Sequence, residues 1–149
     1  MDANTSYQKL FTVNEANDLL PTLRPLVEQI LENIRRLKLA SETVIRKENL
    51  DPEAPDLMSR LRQNREITRL VTQVKQWVEE INAHGCICKG VEQGLIDFPC
   101  VLGSEIVFLC WQLGEPKVNY WHRIEDGFAG RRALLDGKGS EPKRGTSYH

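Results

Sequence analysis

The chain has no apolar run near the roughly 18 residues that a membrane-spanning helix requires. Its first residues, Met1-Asp2-Ala3-Asn4-Thr5-Ser6, lack the basic stretch and apolar core of a secretory leader. Membrane insertion and secretion are not expected, and a cytoplasmic location is. Cysteine is scarce: Cys86, Cys88, Cys100 and Cys110 fall within one short stretch, and without a leader they read as reduced, mostly buried thiols rather than a disulfide framework. A dominant sign of charge is missing as well. With 20 Lys and Arg against 21 Asp and Glu the formal net charge is −1, which argues against wholesale attraction to nucleic acid or anionic membrane and leaves any charged partner to a local patch. No Gly-x-Ser-x-Gly elbow, phosphate-cradling glycine loop, His-Glu-x-x-His helix or Cys-x-x-Cys pair occurs. These absences favour a non-catalytic module over an enzyme and give no reason to expect a cofactor.

What is present fits one α+β domain. A chain of 149 residues with 40% hydrophobic content is long enough to bury a core without disulfides or metal. Thr12-Val13-Asn14-Glu15 has the capping-box pattern, which starts a helix by satisfying two exposed amide donors reciprocally. Beyond it Ala16, Leu20, Leu23, Val27, Ile30, Ile34, Leu37 and Val44 recur at alternating steps of four and three, interrupted at Ser41, which is coiled-coil spacing. Pro21 and Pro25 place a kink, or a start one turn later, among the options. Two prolines in Asn49-Leu50-Asp51-Pro52-Glu53-Ala54-Pro55-Asp56 break the pattern, and Asp56 is a candidate cap for a second helix from Leu57. Leu57, Leu61, Ile67, Val71, Val74, Val78 and Ile81 then give a stripe able to face the first, so an antiparallel hairpin is expected over about 12–83.

From His84-Gly85 the texture changes. Segments 86–91 and 94–99 are short and glycine-punctuated, while 105–113 and 117–122 are β-branched and aromatic around Gly114-Glu115-Pro116. They predict a small antiparallel sheet over about 85–135, with 105–113 as a central strand. Residues 1–135 thus read as a single domain and 136–149 as a flexible tail with nothing to bury.

Several motifs in order, Phe11-Thr12-Val13-Asn14-Glu15-Ala16-Asn17 with Leu19-Leu20-Pro21, then Gly94-Leu95-Ile96-Asp97-Phe98-Pro99, Leu109-Cys110-Trp111-Gln112-Leu113-Gly114-Glu115, Trp121-His122 and Gly127-Phe128-Ala129-Gly130-Arg131, resemble the uncharacterised prokaryotic family called domain of unknown function 2203. The resemblance runs from residue 11 to about 134. It implies no activity and carries over no catalytic residue, although its motif includes the positions of Asp97, Cys110, Glu115, His122 and Arg131. Cys86-Ile87-Cys88 departs from the family pattern, which speaks against a family-wide metal role for those two.

Three candidate sites follow from the residues. Asp97, Glu115, His122 and Arg131 form a polar set over an aromatic floor of Trp111, Tyr120, Trp121 and Phe128, suited to a small anionic or planar ligand. The competing and favoured reading is a structural network in which Arg131 pairs with Asp97 or Glu115 and ties the C-terminal segment to the sheet. A zinc site drawn from His84, Cys86, Cys88, Cys100, Cys110 and His122 has suitable ligand chemistry but poor spacing. With a two-residue turn at Gly114-Glu115, Cys110 and His122 fall on opposite faces, so no metal is expected and this pair is the weak candidate. At the hairpin tip Arg62, Arg65 and Arg69 lead a basic patch: nine basic and six acidic residues between 35 and 69 give +3, against −3 for residues 1–34. An RNA or acidic partner is one reading, but no aromatic residues interleave for base stacking, and a solvated helical surface accounts for the excess. The preferred reading is a binding or assembly module, a homodimer through the hairpin or the sheet face.

Overall fold

A computed structural model describes residues 7–134; the tail expected at 136–149 lies outside them. The elements run α1 (Val13–Lys47), α2 (Leu57–Leu61), α3 (Arg65–Asn82), β1 (Ile87–Gly90), β2 (Leu95–Leu102), β3 (Glu105–Gln112), β4 (Tyr120–Arg123), a 3-10 turn at Phe128–Gly130, and β5 (Arg132–Ala133). The fold is α+β, a helical hairpin packed on an antiparallel meander of order β1-β2-β3-β4-β5, with β3 central as expected.

Helix α1 starts where the capping box places it. The Thr12 hydroxyl accepts from the Glu15 amide, and a Glu15 carboxylate oxygen accepts from the Thr12 amide, both at 3.0 Å. The helix runs unbroken through Pro21 and Pro25 for 35 residues, about 50 Å at 1.5 Å per residue. Both prolines are on the exposed side, where a carbonyl left without its helical donor is satisfied by water. The second helix is not continuous. After the single turn and a half of α2, Asn64 adopts an extended conformation and its side chain accepts from the Ile67 amide at 3.0 Å, starting α3 afresh.

Two cores result. Ala16, Leu20, Leu23, Val27 and Ile30 of α1 and Ile81 of α3 meet Ile96, Phe98, Cys100, Val107, Leu109, Trp111 and Trp121 on one face of the sheet. Further out, Val44, Leu61 and Ile67 form a smaller cluster that holds the projecting half of the hairpin together.

Register follows from turn chemistry. Gly103 takes φ 65° in the two-residue turn between β2 and β3, a conformation that costs glycine little. Leu102 therefore faces Glu105 and Asp97 faces Cys110. β1 pairs only with the first residues of β2. Beyond it the Phe11 amide donates to the Pro99 carbonyl at 2.6 Å, so Pro99 occupies an edge where its missing donor breaks no ladder.

Candidate functional site

The sheet has two unlike faces. Paired residues on adjacent strands share a face, so Asp97, Cys110 and Tyr120 form one row on the side away from the helices, with Pro99, Phe108 and His122 as the next row. Trp111 and Trp121 point the other way, into the core beneath the helices. The aromatic floor expected from Trp111 and Trp121 is therefore not part of this site. Trp111 instead donates its indole N–H to the Glu115 carbonyl at 2.9 Å.

The expected separation of Cys110 and His122 is also corrected. A two-residue turn at Gly114-Glu115 would have paired residue 112 with 117, but β4 starts only at Tyr120, and Cys110 pairs with Tyr120. That shift of one residue in the pairing sum inverts the parity of β4. Cys110 and His122 lie on the same face. Cys86, Cys88 and Cys100 belong to the helix-facing core, and His84 lies at the end of α3 beside Lys9, Phe11, Glu15, Asp18 and Leu19. The six potential zinc ligands are thus split, and only Cys110 and His122 are brought together, with Asp97 beside them.

Two polar units emerge on this face. In the first, His122 Nε2 is 3.3 Å from Asp97 Oδ1 and its Nδ1 is 2.8 Å from the Arg123 carbonyl. Both side chains are 2% exposed. Phe108 packs its ring edge-to-face with His122, Tyr7 packs on Phe108, and the Lys89 ammonium lies over the Phe108 ring. Burial pushes the His122 pKa down, but the Asp97 hydrogen bond, the Arg123 carbonyl and the Asp97 charge together hold it above its ordinary value, with Lys89 opposing. Burial also pushes the Cys110 thiol up to about 12, helped by Asp97 and resisted by Arg131.

In the second unit, Arg131 Nη2 donates to Glu115 Oε1 at 2.7 Å and to the Cys110 carbonyl at 3.3 Å. Its guanidinium lies 4.1 Å from the Tyr120 ring centroid and 4.6 Å from that of Phe128. Glu115 Oε1 also accepts from the Gln112 amide at 2.8 Å. Burial opposes the charge on Arg131, while Glu115 and the Cys110 environment favour it and hold its pKa above the usual arginine value. The four polar residues expected to converge thus form two closed pairs, Asp97 with His122 and Glu115 with Arg131.

At the tip, Arg62, Arg65 and Arg69 are exposed, but Arg69 is bound to Glu66 at 2.8 Å. Arg35 and Arg36 share Glu32 at 2.7 and 3.0 Å, and this carboxyl is held down to about 2, chiefly by the hydrogen bonds from the two arginines. Three of the nine basic residues in the patch are therefore already engaged by carboxylates.

Sequence reasoning missed the pairing of Asp97 with Cys110, although Gly103-Ser104 between two apolar runs was a readable two-residue turn. It also missed Asn17, whose side-chain oxygen accepts from the Val118 amide at 2.7 Å across 101 residues; no local signal announces that contact. Residues 9–134 match a family model described as an uncharacterized conserved protein, DUF2203. No curated protein and no solved structure matches the chain.

Proposed function

This chain belongs to the DUF2203 family of uncharacterized conserved proteins, and we propose that it is a non-catalytic binding and assembly module, acting as a homodimer in the cytoplasm. The observation that carries this reading is the closure of the sheet's polar groups: His122 is engaged by Asp97 and Arg131 by Glu115. A side chain 2% exposed and already bonded does not meet a substrate. The Arg131 guanidinium commits Nη2 to Glu115 and the Cys110 carbonyl and lies against two rings, while Nε, the one buried side-chain donor without a partner among the described residues, is shut from solvent. The unpaired state of all four thiols fits a reducing compartment. No helix among the described residues is long and apolar enough to cross a membrane.

The projecting hairpin is the contact element of this module. Leu39 on α1 and Met58 on α2 are 52% and 59% exposed, and Leu39 borders a shallow groove with Ala40, Thr43, Val44, Asn64 and Glu66. The occupant is a second copy of the chain. The distal half, at +3, is complementary to the acidic N-terminal part at −3, so two hairpins lying side by side in opposite directions match charge at both ends about a twofold axis.

Native mass spectrometry of the gently purified protein tests this. A dimer is expected for the wild type and monomers for Leu39→Glu and Met58→Glu, with helix content unchanged by circular dichroism. A wild type that stays monomeric at all accessible concentrations overturns the proposal, as does a dimer indifferent to both substitutions. A retained organic mass that disappears in Arg131→Met would transfer the function to the sheet.

A further inference from the structure

Three strands converge on one buried point. Asp97 on β2, Cys110 on β3 and His122 on β4 are 2%, 1% and 2% exposed, and their ligand atoms all lie within 4.8 Å of one another. We propose that these three side chains form a binding site for a single zinc-type divalent cation.

The hydrogen-bond geometry of His122 carries the argument. Its Nδ1 is 2.8 Å from the Arg123 carbonyl, an atom that only accepts, so Nδ1 bears a hydrogen. In the neutral ring Nε2 is then a bare lone pair, and it points at Asp97 Oδ1, another acceptor, from 3.3 Å. Two acceptors in contact at a site shut from water require a positive centre between them. A proton on Nε2 supplies one, and the Cys110 thiol then only hydrogen-bonds to Asp97. A divalent cation uses all three donors at once.

The donor set is also the right one. Sulfur, imidazole nitrogen and carboxylate oxygen are the ligands that zinc takes, and its d¹⁰ shell imposes no strict geometry on the three protein donors. A thiolate and a carboxylate balance two positive charges, so the filled site is neutral, as a buried group of charges must nearly be. The Nδ1 hydrogen bond to a backbone carbonyl is the outer contact that orients metal-bound histidines and makes Nε2 the ligand. Of the two cations beside the site, Lys89 lies over the Phe108 ring, while Arg131, paired with Glu115, also reaches the Cys110 carbonyl at 3.3 Å, where its charge favours the thiolate.

The test uses the full chain, freed of metal by a chelator and titrated with Zn²⁺ and with Co²⁺. The expected result is one equivalent bound, with a sulfur-to-cobalt charge-transfer band in the near ultraviolet that excess Zn²⁺ removes. Cys110→Ser should abolish the band and weaken Zn²⁺ by more than the ~100-fold that loss of an outer-shell partner costs. Cys88→Ser, which alters a thiol on the opposite face, should leave both unchanged. The proposal is overturned if the folded wild type takes up no stoichiometric Zn²⁺ or Co²⁺, or if the band persists in Cys110→Ser. Should Cys110→Ser fail to fold, His122→Gln and the wild-type stoichiometry decide the question independently.

Discussion

Breaking the Arg131–Glu115 pair distinguishes a structural clasp from a ligand grip. Side-chain exposures of 14% and 22% place it between a surface pair, worth about 0–1 kcal/mol, and a buried one, where removing a single partner costs about 3–5 kcal/mol. The 2.7 Å contact is short and charge-assisted, which contributes about 1.5–3 kcal/mol net. Stacking of the guanidinium on Tyr120 and Phe128 adds about 0.5–1 kcal/mol for each ring. Arg131→Met should therefore cost about 2–4 kcal/mol, a large part of the about 5–15 kcal/mol that holds a typical domain folded. Glu115→Gln should cost less, about 1–2 kcal/mol, because the amide oxygen of glutamine still accepts from the Gln112 N–H. The double mutant gives a coupling energy of about 1–2 kcal/mol. Urea unfolding followed by circular dichroism measures all three, as a lower midpoint at unchanged slope. If Arg131→Met is as stable as the wild type or more so, the clasp is refuted, because arginines kept for ligands commonly burden stability and their loss relieves it.

Other perturbations probe the frame around the site. Gly94 and Gly103 share nearly the same φ, 67° and 65°, but a Cβ at Gly94 would sit 3.1 Å from Leu113 Cβ and 3.3 Å from Val27 Cγ1, whereas nothing lies within 4 Å at Gly103. Gly103→Ala should cost about 1 kcal/mol of left-handed strain, and Gly94→Ala measurably more by chemical denaturation; equal costs would contradict the packing of this turn against α1. Asn17→Ala leaves the Val118 amide without its partner and should cost about 1–3 kcal/mol, with amide exchange at Val118 accelerated. Glu32 should titrate at about 2 by carbon-detected NMR; as its folded pKa is depressed, the contribution of its ion pairs is present above its ordinary 4.5 and is lost as pH falls through about 2. Because the group is exposed, added salt should raise that midpoint, and a midpoint near 4.5 at low salt would exclude the Arg35 and Arg36 contacts.

What was legible in the sequence was local or periodic. The capping box needs four residues and was readable from four; the α1 stripe is a sum of repeated apolar choices; and the strands announced themselves by β-branched and aromatic content. The break between α2 and α3 was missed because the apolar residues at Leu57, Leu61 and Ile67 still roughly follow helical spacing, while the decisive signal is one asparagine whose side chain caps the Ile67 amide. Asparagine in a helical pattern is ambiguous until its backbone conformation is known. The closed pairing of Arg131 was among the expectations, but its partner had to be chosen between Asp97 and Glu115, and that choice depends on where a loop places a carboxylate.

That loop also decides the chemistry of the sheet face. Residues 113–119 do not form the two-residue hairpin that Gly114-Glu115 invites, although a turn closes at Glu115 N–H to the Gln112 carbonyl, because three side-chain demands override it. Trp111 is committed to the core and its indole reaches the Glu115 carbonyl; the Glu115 side chain is shared by Gln112 and Arg131; and Val118 is drawn beneath the helices, where its amide finds Asn17 of α1. Together these move the start of pairing by enough to change the parity of β4, and a strand has only two faces. With the other parity Trp121 would lie outside and His122 inside the apolar core. In the observed register the tryptophan is buried against the helices, and the histidine meets Asp97 and Cys110 on the far side. Thus a buried polar constellation on three strands is a consequence of packing one indole and one valine, and Asn17 on the first helix, far from the constellation, helps to hold the register that creates it through its bond to the Val118 amide.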